Sequence, residues 1–229
     1  MTRLVETEWL DELPPDDPDA VRSRRDLRRV NSWMRHHAIM AAELLNRFPG
    51  RSPEQIVELG AGDGNYLLRV AQKTSAAWPD ANAILLDRQN IVLPQTLAAF
   101  NALGWRAHAV TADVFDWLQS TRPLEIVIAN LFLHHFYDVS LAGLLRSIAL
   151  RARLFIALEP RRSPLPWLGS RLLWAIGCNY VTQHDATLSV RAGFDGNELS
   201  RLWPPGNGWQ LTERRAGSFS HLFIAQRTG

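Results

Sequence analysis

The sequence predicts one doubly wound α/β domain: a mostly parallel sheet of seven strands covered by helices on both faces, preceded by a helical cap and closed by an antiparallel hairpin. Three observations carry this reading. Short apolar runs alternate with helix-length segments from about residue 53 to residue 160. The first of those runs opens directly into a glycine-rich loop, and the last two runs of the chain are joined by a short glycine-containing turn. Length and composition agree, since 229 residues with 46% hydrophobic and 21% charged side chains suffice for one full core.

Residues 1–20 are rich in proline and aspartate and read as a mobile arm. From Asp19 to about Phe48, Leu27, Val30, Met34, Ala38 and Ala41 recur at spacings of three and four, which predicts one continuous amphipathic helix ended by Pro49-Gly50. Gln55–Leu59 is the first strand, followed by a helix from about Asn65 to Ala77. Ala83–Asp87 is the second, followed by a helix from Pro94 to Leu103 with proline suitably placed in its first turn. Arg106–Thr111 and Leu124–Asn130 are the third and fourth, then a helix covers about Val139 to Arg151. Leu154–Leu158 is the fifth, stopped by Glu159-Pro160, and Trp209–Arg215 with Phe219–Gln226 form the hairpin. Residues 1–50 thus make an arm and cap, 51–229 the main domain, and 160–185 an insertion, effectively one domain.

Several function classes are excluded. Cys178 is the only cysteine, so no intrachain disulfide can form. The N-terminal stretch is acidic and has no apolar core run, and the longest apolar stretch, Leu165–Tyr180, is interrupted by Arg171 and too short to span a bilayer; a cytoplasmic protein without stable membrane insertion is expected. The formal charge is only +2, and the basic cluster Arg22, Arg24, Arg25, Arg28 and Arg29 follows an acidic stretch, so nucleic acid is not expected as a partner. Monomer and homodimer both remain open.

The glycine loop carries the chemistry. Its spacing is Gly60-x-Gly62-x-Gly64, whereas a dinucleotide fingerprint requires a glycine where Asn65 stands, which disfavours the alternative of a nicotinamide-dependent oxidoreductase. Glu58 and Asp63 flank the loop; negative charge there repels a pyrophosphate but suits a cationic sulfonium and amino group. Some two dozen residues on, the second strand ends in Asp87, placed to accept ribose hydroxyl protons.

Val57–Asn65 resembles the first motif of the class I S-adenosylmethionine-dependent methyltransferases, which have a Rossmann-like fold. The resemblance implies that Gly60, Ala61 and Gly62 line the methionine part of the donor, with Glu58 and Asp63 nearby and Gly64 also among the cofactor-binding residues. It implies Asp87 and Arg88 at the ribose, Asp113 and Val114 beside the adenine, and Asn130 facing the methyl donor. Asp26–Asn31, Leu131–Phe136 and His184–Arg191 are further similar to a bacterial group of small-molecule methyltransferases related to those of ubiquinone and menaquinone biosynthesis. That implies a small, hydrophobic acceptor of phenolic, quinone-like or polyketide type, methylated on oxygen or carbon, in quinone or secondary-metabolite biosynthesis. A donor-binding regulatory protein without transferase activity is the alternative from another class.

Methyl transfer from a sulfonium needs alignment and exclusion of water above all, but a neutral phenol also benefits from a base. His134 and His135 follow the fourth strand at the mouth where donor and acceptor meet, and either could take a phenolic proton, or merely cap the loop. By resemblance His135 is the favoured one of the pair. His184, beside Asp185, is a further catalytic candidate; His36 and His37 point about 100° apart on a helix and have no joint role. No metal-ligand spacing is present. Trp167, Trp174 and neighbouring leucines of the insertion, with Trp33 and Met34, are expected to form an apolar lid over the acceptor.

Overall fold

In a computed structural model, which describes residues 1–206 and 208–228, the apolar runs become strands β1 (Ile56–Leu59), β2 (Asn82–Asp87), β3 (Arg106–Thr111), β4 (Leu124–Asn130), β5 (Ala152–Pro160), β6 (Trp209–Ala216) and β7 (Ser220–Arg227). They form one sheet of order β3-β2-β1-β4-β5-β7-β6. β1 to β5 pair in parallel; β7 runs antiparallel between β5 and β6, with Phe223 opposite both Ala157 and Glu213. The seven-stranded, mostly parallel sheet with a terminal antiparallel pair is therefore as expected.

Helices cover both faces. Before the sheet come α1 (Trp9–Glu12), α2 (Pro18–Trp33) and α3 (His36–Arg47); within it, α4 (Asn65–Thr74), α5 (Pro94–Ala102), α6 (Val114–Ser120) and α7 (Asp138–Arg151); after β5, α8 (Pro164–Arg171), α9 (Tyr180–Ala192) and α10 (Glu198–Leu202). Alternate residues of each strand feed opposite cores. Ile126 and Ile128 join Met40, Leu44, Leu67 and Trp105 on one face, while Val127 and Ala129 join Leu141, Leu145 and Trp203 on the other. Among the described residues, no helix is long and apolar enough to cross a membrane.

The N-terminal fifty residues depart from expectation twice. The single helix is two, because Arg35 adopts a left-handed conformation (φ +57°) and turns α3 away from α2. Neither glycine nor proline marks that break, so the apolar stripe runs through it unaltered in the sequence. The arm is not loose either. Arg3 donates to the carbonyls of Ala192 (2.8 Å) and Phe136 (2.8 Å) and to Asp138 (2.6 Å), and the N–H groups of Trp9 and Leu10 donate to the two carboxylate oxygens of Asp185. A polar, proline-rich segment buries little of its own surface; here charged partners on α7 and α9 hold it instead. The insertion after β5 is the helices α8 and α9 with a 3₁₀ turn, Leu173–Ile176, between them.

Candidate active site

The site lies beyond the carboxyl ends of β1, β2 and β4, where the strand order reverses and open α/β sheets bind ligands. A cavity of about 530 Å³ occupies this crevice, within the usual range for a small-molecule site. Its floor is the loop after β1. Gly60 has φ +69° and would drive a Cβ to 2.3 Å from the Phe132 ring, so only glycine fits. Gly62 has φ +54° and open space where a Cβ would stand, leaving its backbone free to approach a ligand. Its N–H donates to Asp87 (2.8 Å), whose other oxygen accepts from the Gln89 N–H (2.8 Å). The carboxylate is thereby fixed, each oxygen keeping a lone pair for a ligand.

Ten of the eleven residues expected at a cofactor line this cavity: Glu58, Gly60, Ala61, Gly62, Asp63, Asp87, Arg88, Asp113, Val114 and Asn130. The exception is Gly64, which lies outside the lining. A Cβ there would meet Leu85 at 2.7 Å, so this glycine serves close packing of α4 on β2. Glu58 is buried, and its Oε2 has no hydrogen-bond partner among the described residues. Burial, with Asp63 and Asp87 nearby, pushes its carboxyl well above the usual range. Asp63 pairs with Arg28 of α2, which brings the cap over the loop. Asp113 caps α6 by accepting from the Phe115 N–H (2.8 Å).

The sequence gives no hint of the partner of Asn130. His36, wholly buried, stands 2.7 Å from Asn130 Oδ1 through Nδ1 and 2.5 Å from the Ser220 hydroxyl through Nε2. Since Oδ1 can only accept, Nδ1 carries the proton and Nε2 accepts from Ser220. Burial lowers the His36 pKa to about 4, so the ring is neutral. Asn130 consequently has its oxygen engaged and its N–H groups available on the cavity side.

After Asn130, Leu131 takes φ +53°, and the chain turns around a second unforeseen residue, Glu159. This fully buried carboxylate accepts from the N–H groups of Phe132 (3.1 Å) and Leu133 (2.9 Å) and from His134 Nδ1 (2.8 Å). Burial alone would lower the His134 pKa, but Glu159 and Glu8 outweigh it and raise it to about 9. Both of its nitrogens then hold protons, which removes it as a free general base unless a competing cation displaces the proton on Nε2. His135 remains a candidate. It lines the cavity, a quarter exposed, with Nδ1 3.3 Å from Asp11, which also meets Arg88 at 3.3 Å.

The third histidine candidate is His184. It lies outside the cavity lining, stacked on Trp9 with ring centroids 3.6 Å apart, and does contact Asp185 (2.9 Å). The pair anchors α1. The lid is displaced as well: none of the apolar residues of α8 or the following turn borders the cavity, and Trp174 is 63% exposed. Val5, Leu10 and Leu27, from the arm and α2, stand there instead. The arm also brings together a group that sequence spacing did not indicate: Glu8, His134 and His135 each place a ligand atom within 4.8 Å of the others. Glu8 is 126 positions from His134, a separation no spacing motif could capture.

The strand order, the left-handed glycines of the first loop and the Asp87 latch define the fold as that of the class I S-adenosylmethionine-dependent methyltransferases, as the resemblance in Val57–Asn65 implied. Among solved structures, the plantazolicin methyltransferase BpumL in complex with SAH is similar, with a TM-score of 0.67 over 93% of this chain and 92% of that one, at 12% identity. Among curated proteins, the trans-aconitate 2-methyltransferase of Methylobacterium radiotolerans is 33% identical over 98 residues, covering 43% of this chain and 34% of that protein. The enzyme of the same name from Acidovorax sp. (strain JS42) is 26% identical over 167 residues, covering 69% of this chain and 61% of its own length. The matched stretches therefore span from about a third to three-fifths of these relatives. No family model matches the chain.

Proposed function

We propose that this protein transfers a methyl group from S-adenosylmethionine to an oxygen of a small, largely apolar acceptor, a phenol, quinone or polyketide-derived hydroxyl. The observation that carries the reading is the pairing of the Gly60–Gly62 cradle with two differently placed carboxyls. Asp87 is held by the Gly62 N–H with lone pairs left for ribose hydroxyls, while Glu58, a residue of the cavity lining, keeps a buried oxygen that has no partner among the described residues. An unsatisfied buried carboxyl is costly in isolation and is relieved by a cationic ligand. The amino and sulfonium groups of the donor have that charge.

When bound, the donor supplies an already activated methyl group. The chain has then to align an acceptor, exclude water and accept a proton. Phe132, Phe136 and Tyr137 offer aromatic walls, Val5, Leu10 and Leu27 close the crevice, and Asn130 offers amide N–H groups beside the donor. His135 is the side chain that meets the acceptor hydroxyl, oriented by Asp11. The trans-aconitate relatives act by name on a small molecule, in keeping with an acceptor of this size. The alternative methylated atom, carbon, lacks a specific observation in its favour.

Calorimetric titration with S-adenosylmethionine and S-adenosylhomocysteine tests the reading. Micromolar binding that weakens by about a hundredfold in Asp87→Ala, the loss of roughly two charge-assisted hydrogen bonds, is expected. NADH serves as the control and is expected not to bind. Failure of both sulfur compounds to bind the intact chain would end the proposal.

A further inference from the structure

Glu8, His134 and His135 sit together where the arm crosses the loop after β4, and all three face the cavity. We propose that they form a site for a divalent transition-metal ion such as zinc, which ties the arm across the mouth and leaves a coordination position open to the cavity. Three features of the geometry support it.

His134 has the build of a metal-ligating imidazole. Ligating histidines characteristically donate their second ring N–H to a carboxylate, which fixes the ring and its tautomer. His134 Nδ1 lies 2.8 Å from Glu159, itself held by backbone N–H groups. The opposite nitrogen, Nε2, belongs to a side chain only 3% exposed and makes no hydrogen bond among the described residues.

The spacing also suits an ion better than a direct contact. Glu8 Oε1 lies 3.3 Å from His134 Nε2, aimed poorly for a hydrogen bond. A charge-assisted N–H···O bond would close to about 2.7–2.9 Å. Two donors each about 2.0–2.1 Å from a tetrahedral ion stand roughly 3.3–3.4 Å apart, the edge seen here. His135 completes the set. Its ligand atom lies within 4.8 Å of the other two, so a shift of at most about 1.5 Å reaches the same edge length, a movement of a ring that is 26% exposed and held by Asp11 at 3.3 Å.

The local charge also suits a cation. Glu8 and Glu159 both stand against His134, while Asp11, already paired with Arg88, has its Oδ2 3.3 Å from His135 Nδ1. Two nitrogens with carboxylate suit zinc, cobalt or nickel rather than magnesium or calcium, which prefer all-oxygen sites. Three protein ligands with one free position is the arrangement of a catalytic rather than a closed structural site. Resting on the methyltransferase reading, that position is where an acceptor hydroxyl would be oriented and acidified, with its proton passing to solvent.

Full-length protein stripped with a chelator would be titrated with zinc chloride against a chromophoric competitor, and separately with cobalt chloride, no donor being present. One equivalent per chain is expected, with the visible absorption of a four- or five-coordinate nitrogen–oxygen cobalt site. Glu8→Gln and His135→Ala should each weaken binding about tenfold or more. Both positions are at the cavity rather than in the core, and cooperative thermal unfolding of each variant verifies its fold. Absence of stoichiometric binding, or binding unchanged in both variants, overturns the site. S-adenosylhomocysteine titration of the same samples separates the two readings: zinc bound without the nucleoside sinks the methyltransferase, and the nucleoside bound without zinc sinks the metal site and leaves His135 as a direct base.

Discussion

His36 illustrates how far a side chain's chemistry depends on where the chain carries it. It is wholly buried, donates to Asn130 and accepts from Ser220, and ionises only near pH 4. An exposed histidine titrates near 6.5, so between these values the unfolded chain binds more protons than the folded one. The contribution of His36 to stability therefore rises as pH climbs from 4 to 6.5 and is lost on acidification, by roughly 3 kcal/mol over the whole window, while Glu58, its carboxyl pushed up by burial, works in the opposite sense. Urea unfolding across that range, compared between the intact chain and His36→Gln, should show the His36 slope as the difference between the two profiles. An equally steep profile in the variant would assign the slope to other groups. At this scale Asp87 and the glycines were legible in the sequence because motif and strand end coincide there. Glu159 was read only as a strand terminator, since a carboxylate's backbone partners, here the N–H groups of 132 and 133, leave no mark in residue types.

The arm is the element whose role changed most. Acidic residues and prolines suggested a solvated segment, yet Glu8 is buried and Trp9 stacks on His184. Arg3 is the fastening, with its guanidinium also 4.7 Å over the Phe194 ring. Arg3→Ala removes several charge-assisted hydrogen bonds and should cost about 2 kcal/mol of local stability, roughly a thirtyfold rise in the detached arm. Cleavage after Glu6 by a glutamate-specific protease measures it. Unchanged protection would mean that Asp185 and Trp9 suffice. If the proposed function holds, the same substitution should raise the acceptor KM more than the donor KM, because the arm brings Val5 and Leu10 to the cavity that also receives the glycine loop. The insertion that seemed a lid instead presents Leu165, Leu168 and Trp174 to solvent, and nothing in the structure explains that exposure.

For the whole molecule, the two cores share one sheet whose strand ends carry the site, so ligand binding and global stability are coupled. S-adenosylhomocysteine at a hundred times its Kd should stabilise the fold by about 2.7 kcal/mol. In a chain of this length that corresponds to a rise in Tm of about 5–10 °C. Differential scanning fluorimetry would register it, and Asp87→Ala at the same ligand concentration should not show it. A shift of equal size in the variant would place the nucleoside elsewhere on the surface.

What the sequence by itself determined is the layout of the sheet and the floor of the site. Strand and helix periodicities are local, and β3 and β4 begin and end where the apolar runs do. The glycine loop is equally local, because a sharp turn between a strand and a helix needs its special residues side by side. Tertiary structure alone decided the roof. Arg35 breaks a helix without a breaker residue, and His36 then reaches Asn130 across 94 positions. Glu8 meets His134 through a fold that brings the arm back over β4. Such contacts join groups whose partners are set by burial and charge in three dimensions, and neither quantity has a period along the chain.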